Sequence, residues 1–223
     1  MIDIPQKLIK DIIGRKDKKI LLIAIDGCGG AGKSTASTEL AFKLGDSQIV
    51  HIDDFYKPMG KRIKITDQTP VHSNFEFNRL KQEVLVPLEH LTAAIYQTSD
   101  GRTLEVQPSG YVLVEGLGTL GIELKEYFDY KIWVDSPNAT RRQRGINRDS
   151  DEWTKIWDEE YLPQDARYVR EQAPQNEADW TLQNKWFNLR LQLVAAVFES
   201  YTSRVKAKSN PAPISGLKQV LPA

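Results

Sequence analysis

The chain has 223 residues, of which 40% are hydrophobic and 27% are charged. Thirty lysines and arginines balance thirty aspartates and glutamates, which argues against a nucleic-acid partner, and a single cysteine argues against a disulfide-based secreted fold. The longest purely apolar run, residues 20–25, is far short of the roughly 20 residues that span a bilayer. The first residues lack the apolar core of a signal peptide, so we expect a cytoplasmic protein with no membrane association.

The first half of the chain predicts an α/β unit. Residues 5–15 carry a hydrophobic stripe typical of a short amphipathic helix, made by Leu8, Ile9, Ile12 and Ile13. Residues 18–26 form a continuous apolar run, as in a strand buried on both faces of a parallel sheet. A glycine loop, a helix at 34–44 and a strand near 48–53 follow. This order predicts a right-handed crossover in an α/β fold.

The later elements are assigned from the same periodicities. In chain order we predict an irregular connection, a helix, a small hairpin, two core strands and a charged helical region: residues 57–74, 77–91, 99–110, 111–116, 130–135 and 139–173. Pro87 is expected to disturb the first of these helices. A last amphipathic helix is predicted from Trp186 to Tyr201, followed by an extended tail after Lys208.

A glycine-rich loop carries the strongest chemical signal. Residues 27–34 match the pattern G-x-x-x-x-G-K-[ST] between a buried strand and a helix. Its backbone N–H groups can curl around phosphate oxygens, and the helix that follows directs its positive end at the anion. We expect Lys33 to reach the β- and γ-phosphates and the Ser34 hydroxyl to bind Mg²⁺. The candidate nucleotide-binding residues are Gly27, Cys28, Gly29, Gly30, Ala31, Gly32, Lys33, Ser34 and Thr35.

The same loop leaves a second interpretation open. Gly27, Gly29 and Gly32 also spell G-x-G-x-x-G, and Asp53 ends the next predicted strand, as in a dinucleotide-binding fold of an NAD-dependent oxidoreductase. That fold has no use for a lysine and a metal-binding hydroxyl at Lys33 and Ser34. The phosphate loop of a nucleoside-triphosphate-binding protein is therefore the favoured interpretation.

Acidic residues end two other predicted strands. Asp53 and Asp54 follow one apolar strand, and Glu115 ends another. Ligands of open α/β sheets bind beyond the carboxyl ends of the strands. Asp53 and Glu115 are therefore candidates to hold Mg²⁺ directly or through water, and Asp53 to accept the proton of a hydroxyl nucleophile.

Four arginines lie within eight residues that contain no acid: Arg141, Arg142, Arg144 and Arg148. Forked guanidinium groups stabilise the charge that spreads over a phosphoryl group during its transfer. A mobile lid that closes over the nucleotide is the functional interpretation, and a solvated surface helix is the alternative. Trp153 and Trp157 are spaced for one helix face, and we interpret them as packing residues.

Several segments together resemble one family. GCGGAGKST, HIDDFYKP and YVLVEG, followed by VDSPNATRRQRGINRD, resemble the uridine kinase and phosphoribulokinase group of P-loop kinases, and nicotinamide riboside kinases share a similar Asp-Asp-Phe-aromatic motif. The resemblance implies that Asp53 is the catalytic base, that Tyr56 lines the acceptor site and that Glu115 is the metal-facing acid. It also implies that Arg141 and Arg148 are lid arginines.

HSNFEFNRL, residues 72–80, resembles the Asn-Phe-Asp segment of uridine kinases, with Glu76 at the place of a sugar-contacting acid. The His-Pro pair that follows this segment in the family is replaced by Phe77-Asn78, which weakens the case for a pyrimidine nucleoside.

The expected protein is thus a three-layer α/β P-loop kinase with an arginine-rich lid. The expected units are a lead-in helix at 1–18, the kinase domain at 19–182 and a helix with an extended tail at 183–223. It would transfer a phosphoryl group from ATP or another NTP, with Mg²⁺, to a hydroxyl of a small metabolite, a nucleoside or related riboside. A nucleoside-monophosphate kinase and a nucleotide-gated switch are the alternatives, and a homo-oligomer is compatible with the sequence.

Overall fold

The computed structural model describes residues 2–66 and 68–184. Five parallel strands form the central sheet in the order β2-β5-β1-β6-β7, and β3 and β4 form a separate antiparallel hairpin. The strands are β1 Ile20–Asp26, β2 Ser47–His51, β3 Ala94–Gln97, β4 Thr103–Val106, β5 Gly110–Glu115, β6 Tyr130–Asp135 and β7 Trp180–Gln183. The α-helices are α1 Gln6–Arg15, α2 Lys33–Leu44, α3 Phe77–Leu80, α4 Val86–Glu89, α5 Asn138–Asp149, α6 Thr154–Ile156 and α7 Leu162–Gln172.

The side chains of the central strands alternate between the two faces of the sheet, and this alternation produces the three layers. Every residue of β1 is buried, because successive side chains point to opposite faces of a sheet that is covered on both sides. Leu21, Ile23 and Ile25 pack in one core with α1 and α2, whereas Leu22 and Ala24 pack in the other with the helices after residue 76 and with α7. The predicted three-layer α/β fold is confirmed.

The long helix predicted at 77–91 is one helical segment with a wide turn inside it. A π-helical turn at Lys81–Leu85 joins α3 to α4. Pro87 cannot donate the hydrogen bond of a regular α-helix, and its effect is this change of pitch. Two predicted stripe residues are not in the core: Leu91 has a positive φ of 55° and is 51% exposed, and Ile13 of α1 is 51% exposed.

One strand is shorter than predicted, and another was not predicted at all. Strand β2 ends at His51, and Ile52–Phe55 form a 3₁₀ turn, so the acidic pair sits in that turn. Strand β7 was not predicted, because its four residues form a short, largely polar edge strand. The late helix from Trp186 and the tail lie outside the described residues.

The order of the strands excludes the dinucleotide-binding alternative. In that fold, the strand after the glycine loop lies directly beside the first strand. Here β1 pairs with β5 and β6, and β5 separates it from β2. Asp53 therefore cannot hold a ribose in the way that fold requires. None of the helices among residues 2–66 and 68–184 is long and apolar enough to cross a membrane.

Candidate active site

The phosphate loop joins β1 to α2. Gly30 and Gly32 have positive φ values of 73° and 102°. A Cβ atom on Gly30 would lie 2.5 Å from the carbonyl oxygen of Arg141, so a side chain there would meet backbone. No side chain caps the N-terminus of α2, whose first N–H groups are left for an anion. The loop therefore has the geometry of a phosphate cradle.

Buried Asp26 fixes the start of this loop. Its carboxylate accepts hydrogen bonds from the Gly27 N–H at 2.6 Å, the Leu120 N–H at 2.8 Å and the Tyr168 hydroxyl at 2.6 Å. Burial raises the pKa of Asp26, and these hydrogen bonds oppose the shift. The sequence analysis missed this residue, although an acid directly before a glycine loop is a visible signal.

Lys33, the first residue of α2, reaches back over the loop. Its Nζ atom lies 3.3 Å from the carbonyl oxygen of Cys28. The charge of Lys33 also favours the ionised forms of Asp53 and Glu115, so the three groups lie near one another. The structure brings together the predicted lysine and the two predicted carboxylates.

Glu115 is paired with a histidine that the sequence analysis did not select. Glu115 ends β5 and His51 ends β2, and the two residues are directly opposite in the sheet. His51 Nδ1 lies 2.6 Å from Glu115 Oε1. Burial raises the pKa of Glu115, but His51, Lys33 and Ser34 outweigh it and hold the pKa below its ordinary value. Glu115 is thus a carboxylate beside the predicted metal-binding hydroxyl.

Asp53 and Asp54 have different surroundings. The side chain of Asp53 is solvent-accessible, and neighbouring atoms remove part of its hydration and raise its pKa, while Lys33 opposes the shift. Asp54 lies 3.4 Å from the hydroxyl of Tyr96 on the hairpin. The two adjacent carboxylates therefore have different neighbours.

Of the other two predicted acceptor-binding residues, Tyr56 lies next to Asp53 and its N–H donates to the Asp53 carbonyl at 3.3 Å. Burial raises the pKa of Tyr56 to about 12, and Asp53 and Tyr161 also act on its hydroxyl. Glu76 forms an ion pair of 3.0 Å with Arg79, and Arg79 also binds Glu83 at 2.9 Å. The carboxylate of Glu76 is therefore occupied by a neighbouring helix residue.

The four arginines of α5 have separate partners. Arg141 is buried, donates to the Gly29 carbonyl at 3.0 Å and pairs with Asp165 at 2.6 Å. Arg144 lies on the phosphate loop within 3.3 Å of the Ala31 carbonyl. Arg142 and Arg148 form exposed pairs with Asp158 and Asp149 respectively. The arginine segment is thus a helix packed against the loop.

Two residues of the following segment also contact the loop, and no local pattern predicted either. Asp165 accepts a hydrogen bond from the Gly29 N–H at 2.9 Å. Trp157 is buried, donates to Asp149 at 3.0 Å and lies against both Gly29 and Gly145. The interpretation of Trp157 as a packing residue agrees with this position, whereas Trp153, which was interpreted in the same way, is 40% exposed.

The described residues contain no group of three or more His, Cys, Asp or Glu side chains that could hold a metal by themselves. Mg²⁺ in phosphoryl-transfer sites is held by one or two carboxylates together with substrate phosphates. Ser34, Asp53 and Glu115 supply one hydroxyl and two carboxylates around Lys33, which fits that kind of site.

The parallel sheet and the phosphate loop define a P-loop nucleotide-binding protein. No family model matches the chain. The chain is 31% identical to the uridine kinase of Leuconostoc citreum over 60% of its own length and 70% of that protein. It is 32% identical to the uridine kinase of Clostridium botulinum, with 60% and 71% covered. The chain therefore belongs to the uridine kinase family, and it is a small-molecule kinase that phosphorylates an alcohol.

Solved structures agree on the fold. A possible uridine kinase from Bacillus stearothermophilus has a TM-score of 0.58 at 20% identity, covering 79% of this chain and 95% of that one. A putative fructose transport system kinase from Silicibacter sp. has a TM-score of 0.53 at 20% identity, covering 78% and 97%.

Proposed function

We propose that the protein transfers the γ-phosphoryl group of ATP to a hydroxyl of a nucleoside or related riboside. The observation that carries this proposal is the grouping of Lys33, Asp53 and Glu115 around one phosphate loop. The names of the relatives support the nucleoside as acceptor.

The phosphates of ATP would lie against the loop amides and the N-terminus of α2, with Lys33 at the transferring group. Lys33 donates to the Cys28 carbonyl at 3.3 Å, and its side chain is long enough to reach a phosphate oxygen instead. A cation aimed at the transferring phosphoryl group stabilises the charge that develops on it.

Ser34, Asp53 and Glu115 are the residues that would hold Mg²⁺, which supplies positive charge between the β- and γ-phosphates. His51 keeps the Glu115 carboxylate oriented through their short hydrogen bond. Asp53 lies in the same cleft and would also align the acceptor hydroxyl and accept its proton. Because the transition state is loose, that proton need not leave early.

Arg148 is the arginine we propose to face the transferring phosphate. Its positive charge interacts with Asp53 and Tyr161. Its ion pair with Asp149 is exposed, so a phosphate can replace Asp149 as its partner. Arg141 is held between Gly29 and Asp165, and we propose that it positions the loop instead of touching the phosphate.

ADP release from ATP and Mg²⁺ tests the proposal, with uridine, cytidine, nicotinamide riboside, pantothenate and ribulose 5-phosphate each added as acceptor. We expect a riboside to raise ADP release well above hydrolysis without acceptor. Hydrolysis that no acceptor accelerates would favour a nucleotide-gated switch. Transfer to a nucleoside monophosphate alone would favour the monophosphate kinase alternative.

A further inference from the structure

The segment after Tyr56 has an unusual charge for this chain. Residues 57–64 contain four basic side chains and no acidic one, although the whole chain has a formal net charge of zero. They are Lys57, Lys61, Arg62 and Lys64. Such a segment beside a substrate cleft raises the local concentration of anions.

Arg62 is held in a defined position within this segment. Its guanidinium carbon lies 4.5 Å from the centre of the Tyr56 ring, a cation–π distance, and its Nε donates to the Lys57 carbonyl at 2.8 Å. The side chain of Asn74 bonds both the N–H and the carbonyl of Ile63 at 2.9 Å. The backbone next to Arg62 is therefore tied to the segment before α3.

The terminal nitrogens of Arg62 donate none of these hydrogen bonds. Among residues 2–66 and 68–184, no carboxylate lies within 4.0 Å of Arg62 and neither Nη atom has a hydrogen-bond acceptor. By contrast, Arg79, Arg102 and Arg141 each pair with a carboxylate. Arg62 thus presents the half of its fork that binds carboxylates and phosphates bidentately.

This fork lies close to Asp53. Arg62 stacks on Tyr56, and the backbone N–H of Tyr56 donates to the Asp53 carbonyl at 3.3 Å. Arg62 and Arg148 both act on the hydroxyl of Tyr161. Arg62 is therefore close to Asp53, the proposed base, and to Tyr56, which the sequence predicts at the acceptor site.

We propose that Arg62 is a specificity-determining residue and that the acceptor carries an anionic group, a carboxylate or a phosphate, in addition to the hydroxyl that is phosphorylated. This inference rests on the proposed function, because the space beside Asp53 is taken as the acceptor site. A neutral nucleoside offers no charge complementary to this guanidinium, which has no carboxylate partner among residues 2–66 and 68–184.

Matched pairs of acceptors test the proposal. The pairs are uridine and orotidine, nicotinamide riboside and nicotinic acid riboside, and ribulose and ribulose 5-phosphate. The second member of each pair carries the anionic group: a carboxylate added to the base in orotidine, a carboxylate in place of the carboxamide in nicotinic acid riboside, and a phosphate ester of one hydroxyl in ribulose 5-phosphate. We expect the anionic member of at least one pair to bind the enzyme at least tenfold more tightly, measured calorimetrically on enzyme saturated with Mg²⁺ and a non-hydrolysable ATP analogue. The analogue fills the phosphate loop, so anion binding there does not contribute.

Two variants test whether Arg62 is the residue that binds the anionic group. Arg62→Gln is expected to lower the affinity ratio between the member with the anionic group and the member without it by about 10-fold to 100-fold, as expected for one charge-assisted pair. Lys64→Gln removes the same charge two residues further on and is the matched control, for which we expect an unchanged ratio. Equal losses in both variants would mean diffuse attraction and would overturn the assignment to Arg62.

The binding measurement separates this inference from the proposed function. Equal binding of both members in all three pairs overturns the inference, even if a riboside is phosphorylated. Conversely, anion binding that depends on Arg62, without transfer to any of the six acceptors, contradicts the proposed riboside function and leaves an anion site in place.

Discussion

The guanidinium of Arg141 lies 2.6 Å from the carboxylate of Asp165, and the two side chains are only 5% and 4% exposed. Both also bind the backbone of Gly29, Arg141 at the carbonyl and Asp165 at the N–H. This buried pair therefore connects α5 and α7 through the phosphate loop itself.

Removing one member of this pair should destabilise the fold. Asp165→Ala leaves a buried guanidinium without its counter-charge, which costs about 3–5 kcal/mol in comparable cases. Replacing both residues, Arg141→Met with Asp165→Leu, should cost less than the single change, because no charge remains unpaired. Urea denaturation of the three proteins measures this. A single variant within 1 kcal/mol of the wild type would contradict the buried pair.

Lys33→Ala should nearly abolish turnover while the protein stays folded. A cation aimed at the transferring phosphoryl group contributes roughly 3–4 kcal/mol, or more than 100-fold in rate. Lys33 makes one long hydrogen bond to Cys28, so its loss leaves the packing intact. Activity above about a tenth of wild type, with unchanged thermal melting, would refute the assignment of this lysine.

Asp53→Asn should lower kcat about 100-fold or more, with a smaller change in ATP affinity, because a positioned base contributes roughly 10²–10⁴ in rate. Asp54→Asn should do less, since Asp54 faces Tyr96 of the hairpin. Saturation kinetics of both variants decide between the residues. A larger kcat loss in the second variant would reverse the roles.

Nucleotide should protect residues 141–160 from amide hydrogen exchange. Without nucleotide, the exposed pairs of Arg142 and Arg148 hold this segment only weakly at its surface. A phosphate would give Arg148 a stronger partner. Exchange is compared with and without an ATP analogue, and residues 20–26 of β1 serve as the internal reference. Equal protection of 141–160 in both states would indicate a static helix.

Stability should fall in mild acid because of His72. Burial lowers the pKa of His72 to about 4, and its Nε2 has no hydrogen-bond partner among the described residues. In the unfolded chain the imidazole binds a proton near pH 6.5, whereas in the folded protein it does so only near pH 4. The contribution of neutral His72 to the free energy of unfolding is therefore complete above pH 6.5 and is lost as the pH falls toward 4. The loss is about 2 kcal/mol between pH 8 and pH 5.

Asn at this position tolerates the positive φ of 65° and does not titrate. Denaturation of His72→Asn at pH 8 and pH 5 should therefore give a smaller difference than the wild type. Parallel pH profiles would exclude His72 as the source.

The sequence was most informative where function depends on neighbouring residues. Residues 27–34 carry a complete phosphate loop in consecutive letters, and β1 is recognisable because it is apolar throughout. His51 meets Glu115 only through strand pairing, and Asp165 meets the loop only through helix packing, so no local pattern marks these contacts. Glu76 has the expected residue type, but its ion pair with Arg79 depends on a helix contact that the motif does not describe.

Cys28 is the one cysteine of the chain, and it is buried inside the phosphate loop. Burial raises the pKa of its thiol to about 12, so at neutral pH almost none of it is the reactive thiolate. Cysteines introduced at exposed positions, such as Ser99 on the hairpin and Gln143 on α5, would therefore react with maleimide dyes while Cys28 does not. The natural chain therefore contributes no reactive thiol of its own. Two fluorophores attached at the introduced cysteines can report the distance between hairpin and helix without any change to the loop.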